Sequence, residues 1–111
     1  MTFQQGDIIM VSFSPTHGHE QQGKRPALVL QRTDVSVIMK SCIIVLPITT
    51  STHVFPFDVA LDNRTQTKGH ILSRRIRALD LDNRMAYKIE RASDDIVNQR
   101  IRNIELMIEK E

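Results

Sequence analysis

The sequence predicts a mainly β domain of α+β type: a small, strongly bent sheet or barrel with one helix at its C-terminus. Three observations carry this. Five or more short apolar or β-branched runs follow one another, separated by polar turns. The last segment has helical rather than alternating periodicity. The length, 111 residues, is that of a single domain, 1–111, burying roughly 65% of the surface its unfolded chain exposes.

The elements follow in order. Asp7–Phe13 (DIIMVSF) comes after Gly6 and is β-branched and apolar, so it reads as a strand. Ser14–Lys24 (SPTHGHEQQGK) holds a proline, two glycines and almost no apolar side chain, the composition of a long polar loop. Pro26–Gln31 (PALVLQ) is a short strand, and Ser41–Leu46 (SCIIVL) another, ended by Pro47. Phe55–Asp62 (FPFDVALD) alternates, with Phe55, Phe57, Val59 and Leu61 on one face; Pro56 points to an edge or strand-start position. His70–Ile76 and Tyr87–Arg91 are weaker strands, and Leu79–Arg84 reads as a single helical turn. At the C-terminus Ser93 is an N-cap, and Asp94 and Asp95 complement the helix dipole. Ile96, Val97, Ile101, Ile104, Met107 and Ile108 then recur at helical spacing, with Arg100, Arg102, Glu105, Glu109 and Lys110 opposite.

Composition excludes several classes. With 41% hydrophobic and 25% charged residues the chain is not disordered. One cysteine, Cys42, excludes an internal disulfide framework and a multi-cysteine zinc site. It lies in an apolar strand and reads as core. No apolar run approaches the roughly 18 residues of a membrane span, and MTFQQGDII carries no signal-peptide pattern. A reduced, cytoplasmic protein is expected. The net charge of +2 conceals an asymmetry: residues 64–91 hold eight basic and three acidic side chains. That stretch is either a footprint for a phosphate backbone or a solvated arginine-rich face.

Chemistry-bearing residues are few. There is no glycine-rich phosphate loop, and His17, His19, His53 and His70 show no metal-ligand spacing. Asp80/Asp82 and Asp94/Asp95 read as turn and helix-start residues. Two segments stand out. In Gly18–Pro26 a polar loop enters an apolar strand through Lys24-Arg25, so Arg25 sits at the mouth of the core. Its guanidinium either forms a fixed fork for a phosphate oxyanion or pairs structurally with Glu20 or a loop carbonyl. In Pro47–Thr52 an apolar strand ends in four hydroxyls. These donate to phosphate or base groups, or cap a turn.

Gly6–Gln31 (GDIIMVSFSPTHGHEQQGKRPALVLQ) resembles the N-terminal signature of the MazF/PemK/Kid family of toxin ribonucleases. That signature is Gly-Asp-aliphatic, a Ser/Asp-Pro-x-x-Gly-x-Glu-Gln loop, then Arg-Pro-aliphatic. The likeness continues through Ile44–Thr50, Phe55–Leu61, Gly69–Asp80 and the terminal helix. It implies an SH3-like barrel of the CcdB/MazF/Kid type with a C-terminal helix. It also implies a homodimer, no metal or other cofactor, single-stranded RNA (often mRNA) as substrate, and a cognate antitoxin protein as partner. Residue by residue, it implies catalytic roles for Arg25, Thr49 and the loop histidine His19. Glu20 and Gln21 would hold Arg25 in place, and Thr50, Phe57 and Lys68 would line an RNA groove.

The sequence departs from the family in GHILSRRIRALD, where many relatives carry Asp or Glu and then Gln. Here those positions are Arg74 and Arg75. An arginine cannot serve as a carboxylic acid or base. The protein therefore relies on Arg25, Thr49 and His19, with Arg74 and Arg75 as an RNA-backbone clamp, or it works with reduced activity. The expected reaction is attack of the RNA 2′-hydroxyl on its own 3′-phosphate, which needs no protein nucleophile. Two alternatives share the fold: a non-catalytic, CcdB-like gyrase-binding toxin and a cleavage-weak RNA-binding member.

Overall fold

The computed structural model describes residues 2–13, 23–52 and 54–111. The elements are β1 (Asp7–Ser12), β2 (Lys24–Val29), α1 (Thr33–Met39), β3 (Cys42–Thr49), β4 (Asp58–Ala60), β5 (His70–Leu72), a 3₁₀ turn (Ser73–Arg75), β6 (Arg77–Asp80), β7 (Ala86–Arg91) and α2 (Asp94–Ile108). Among the described residues seven antiparallel strands form one unclosed sheet, ordered β4-β5-β3-β2-β1-β7, with β6 also paired to β3.

The continuous apolar runs have a physical reason: the central strands are covered on both faces. Ile9, Val11, Ala27, Val29, Ile43, Val45 and Leu79 pack with Phe3 on one side. Their neighbours in sequence, Ile8, Leu28, Leu46 and Ile48, pack with Ile71, Ala92 and Ile96 on the other, under α2. Full burial of a Leu or Ile side chain stabilises by roughly 1.5–3 kcal/mol relative to exposure, so this double layer fixes the strand register.

Several boundaries differ from those the sequence predicts. Strand β3 does not stop before Pro47 but runs through it to Thr49. Along one side β3 pairs first with β6, through Val45↔Arg77, and then with β5, from Ile48↔Ile71. Pro47 falls in the gap between these neighbours, where a missing N–H is tolerated. The Leu79–Arg84 segment is not a helical turn: its start belongs to β6, and a tight turn closed by Arg84 N–H to the Leu81 carbonyl follows. The alternating Phe55–Asp62 run is a strand only at Asp58–Ala60. Before it lies a turn with Pro56 second, Phe57 at φ 72° and Asp58 N–H donating to the Phe55 carbonyl at 3.0 Å, the pattern of a type II turn. His70–Ile76 divides into β5 and the 3₁₀ turn.

Helix α1 has no counterpart in the sequence reading. Its residues, TDVSVIM, lack amphipathic periodicity, and Ser36 is its buried residue. In α2, Arg100 sits in the core-facing set rather than on the solvent side. Its Nε lacks a hydrogen-bond partner, and burial pulls the guanidinium below its ordinary pKa. Ile108 is conversely exposed. Two carboxylate clamps hold the periphery. Arg64 bonds both Asp62 and Asp95, tying the β4–β5 connection to the start of α2. Glu90 on β7 accepts from the Gln66 and Thr67 amides and the Thr67 hydroxyl. No helix among the described residues is long and apolar enough to cross a membrane.

Candidate active site

The swap of neighbours along β3 creates a cleft. After β5 the chain turns through Ser73–Arg75 and returns as β6. Consecutive basic residues therefore lie beside the second half of β3. The cleft, of about 400 Å³, is lined by Arg25, Thr49, Arg74, Arg75 and Arg77 among polar residues, with Phe13, Pro47, Ile48 and Phe55 as its apolar walls.

Arg25 lies on β2, opposite Val11 of β1. The β2–β3 register pairs Ala27 with Pro47. Extended by two residues, it brings Arg25 opposite Thr49. Arg25 is exposed and, among the described residues, has no ion-pair partner. The other reading of Arg25, a pairing with Glu20 or a loop carbonyl, falls on residues outside the described ones. For the hydroxyl run the turn-capping reading is observed at Thr49. Thr49 Oγ1 accepts the Ser51 amide at 3.1 Å, capping a turn. That leaves its own O–H free to donate into the cleft.

The basic wall is organised by aromatic rings. The Arg74 guanidinium stacks 4.3 Å from the Phe55 ring centroid, and Arg77 stacks 5.2 Å from that of Phe13. Phe13 is itself fixed. Its amide donates to the Gly23 carbonyl, and Arg84 Nη1 donates to the Ser12 and Phe13 carbonyls at 2.7 and 2.9 Å. These bonds hold Phe13 beside the cleft. His19, Glu20 and Gln21 lie outside the described residues.

The structure brings together Arg25, Thr49, Arg74 and Arg75 of the predicted site. Thr50, Phe57 and Lys68 do not line the cleft. Lys68 Nζ turns instead to the Thr65 carbonyl at 3.5 Å. Ser51, from the hydroxyl run, also lines the cleft, and Phe13, Phe55 and Arg77 join the site without having been singled out. Arg77 stood within the basic stretch, and that charge count was the available signal for it. Phe13 and Phe55 gave none, because an aromatic at a strand end reads as core.

The comparisons with known proteins bear on this arrangement. Residues 4–108 match the family described as PemK-like, MazF-like toxin of type II toxin-antitoxin system. The chain belongs to this family. It is 34% identical over 112 residues to the endoribonuclease toxin ChpB of Escherichia coli, covering 96% of this chain and 95% of that protein. The MazF crystal structure from Deinococcus radiodurans superposes with a TM-score of 0.84 at 26% identity, covering 99% of both chains. A MazE–MazF structure from the same organism gives 0.85 at 23% identity over both full lengths, a likeness of fold. The expected barrel-type fold and the family stand. This MazF-like toxin has the open, strongly bent sheet and the C-terminal helix of its relatives.

Proposed function

We propose that this endoribonuclease toxin cuts single-stranded RNA at short sequence-defined sites by internal transesterification. The observation that carries the reading is the convergence of Arg25, Thr49, Arg74, Arg75 and Arg77 on one cleft. The reaction forms the bond from the 2′-oxygen to phosphorus and breaks that from phosphorus to the 5′-oxygen. The 2′-hydroxyl loses a proton and the leaving oxygen gains one, giving a 2′,3′-cyclic phosphate and a 5′-hydroxyl. Arg25 and the Thr49 hydroxyl neutralise charge building on the phosphorane. Arg74, Arg75 and Arg77 hold the flanking backbone. His19 is assigned proton transfer on the family resemblance, with Glu20 and Gln21 steadying Arg25.

The chain acts as one toxin domain, 1–111, in the cytoplasm. It forms a homodimer, since β4 is an open sheet edge with Val59 exposed beside it. The MazE–MazF complex of the Deinococcus relative supports a cognate antitoxin as partner, and on this reading an acidic segment of it fills the basic cleft. The test is incubation of purified protein with a mixed-sequence single-stranded RNA in EDTA for minutes. Discrete fragments with cyclic phosphate ends, and no cutting of the matching DNA, are expected. Intact RNA would overturn the reading and favour a protein-binding toxin.

A further inference from the structure

Asp58 opens β4, and its side chain is fully buried. Oδ2 accepts the Phe55 amide at 2.9 Å and faces Arg74 Nε at 3.4 Å. Oδ1 has no hydrogen-bond partner. A buried carboxylate left half satisfied is unfavourable, and an apolar residue of similar size would commonly stabilise the fold more. Stability alone therefore does not account for it.

What the carboxylate does is geometric. It touches both members of one stack: through the Phe55 amide it closes the Phe55–Asp58 turn, and through Nε it meets Arg74. Arg74 is thereby bounded on its face by the Phe55 ring and on its Nε edge by Asp58. Arg74 lines the same cleft as Arg25 and Thr49. With its oxygens sealed from solvent, Asp58 cannot itself meet a substrate.

We propose that Asp58 is a positioning residue for RNA binding, fixing Arg74 against Phe55 as a preorganised fork for the substrate backbone. The proposal rests on the endoribonuclease reading and adds a part to it. Its sign distinguishes it from simple electrostatics. Neutralising an acid beside four cleft arginines must, by charge alone, tighten RNA. Unmooring Arg74 must weaken it.

The experiment compares wild type, Asp58→Asn, Arg74→Ala and the double variant. Asparagine keeps an acceptor for the Phe55 amide. Affinity is measured with a 2′-O-methyl RNA, which lacks the nucleophile, and kcat with cleavable RNA. Asp58→Asn should weaken binding about fivefold, the scale of restoring freedom to one rotamer-rich side chain, with kcat unchanged. In the Arg74→Ala background it should weaken binding no further. Should Asp58→Asn fail to fold, Arg74→Lys, which keeps the charge but loses the fork, should show the same weakening. Tighter binding, unchanged binding with a lower Tm, a fall in kcat alone, or independent effects in the double variant would each overturn the proposal. NMR exchange of the Arg74 Nε–H, slow in wild type and fast in Asp58→Asn, reads the same contact without RNA. It separates failure of this proposal from failure of the nuclease reading.

Discussion

Arg25→Ala and Arg74→Ala should differ in kind. The β2–β3 register brings Arg25 opposite Thr49, and the proposed mechanism has both meet one phosphate. On that mechanism the Arg25 guanidinium serves the charge building on the phosphorane. Losing one preorganised oxyanion donor costs about a hundredfold or more in kcat. Binding should change little by comparison, because Arg74, Arg75 and Arg77 remain in the cleft. Arg74 is stacked on Phe55, and on the proposed mechanism it holds the flanking backbone. Its removal should weaken all RNA sequences alike and reduce the slope of log affinity against log salt by about 0.7, the single-strand value for one phosphate contact. Saturating RNA should then largely restore the rate. The assay is single-turnover cleavage across RNA and salt concentrations. The assignment is refuted if Arg25→Ala keeps near-full turnover at saturation, or if Arg74→Ala is the variant that abolishes it. In the second case the catalytic centre lies on the 3₁₀ turn.

Two further outcomes are expected. At Gly69, with φ of 124°, an added Cβ would come within 2.3 Å of the Thr49 carbonyl oxygen. Gly69→Ala should therefore cost about 2 kcal/mol or more in urea unfolding and lower turnover by shifting Thr49; a variant unchanged in both would refute this backbone contact. Burial raises the Glu90 carboxyl, but the Thr67 hydroxyl, the Gln66 and Thr67 amides and the Lys68 charge outweigh it and hold it below its ordinary 4.5. A depressed carboxyl contributes stability above that value and loses it as pH falls. The exchange protection of the Gln66 and Thr67 amides, taken relative to their intrinsic rates at each pH, should fall on acidification from pH 5, and Glu90→Gln should remove that change in protection.

How far the sequence discloses this fold depends on which force shapes each segment. Burial on both faces writes itself as unbroken apolar runs, so β1, β2 and the start of β3 are legible. So is α2, whose Asp94–Ile108 span matches the apolar spacing. Phe55–Phe57 misleads because its alternation coincides with a turn whose third residue, Phe57, adopts a positive φ usually left to glycine. Arg100 misleads because charge predicts solvent, whereas helical phase places it in the core. For the site, Arg25 and Thr49 are legible through the family signature. Phe13 and Phe55 are not, because their roles arise from arginines brought in by a distant strand.

The interrupted pairing of β3 explains both the fold's main irregularity and its chemistry. A strand flanked continuously on both sides would present no cleft over Pro47–Thr49. Here β6 leaves at Val45 and β5 begins at Ile48. The chain that links them has to turn sharply across the gap, and it does so through Ser73–Arg75. Ser73 is buried against the sheet while Arg74 and Arg75 face outward. The residue that cannot donate a ladder hydrogen bond, Pro47, thus lies on the floor of the site, and the residues of the crossing turn form its wall. Arg74 and Arg75 give that wall positive charge. The nearest buried carboxylate is then Asp58, on the neighbouring β4, holding the arginine rather than meeting the substrate.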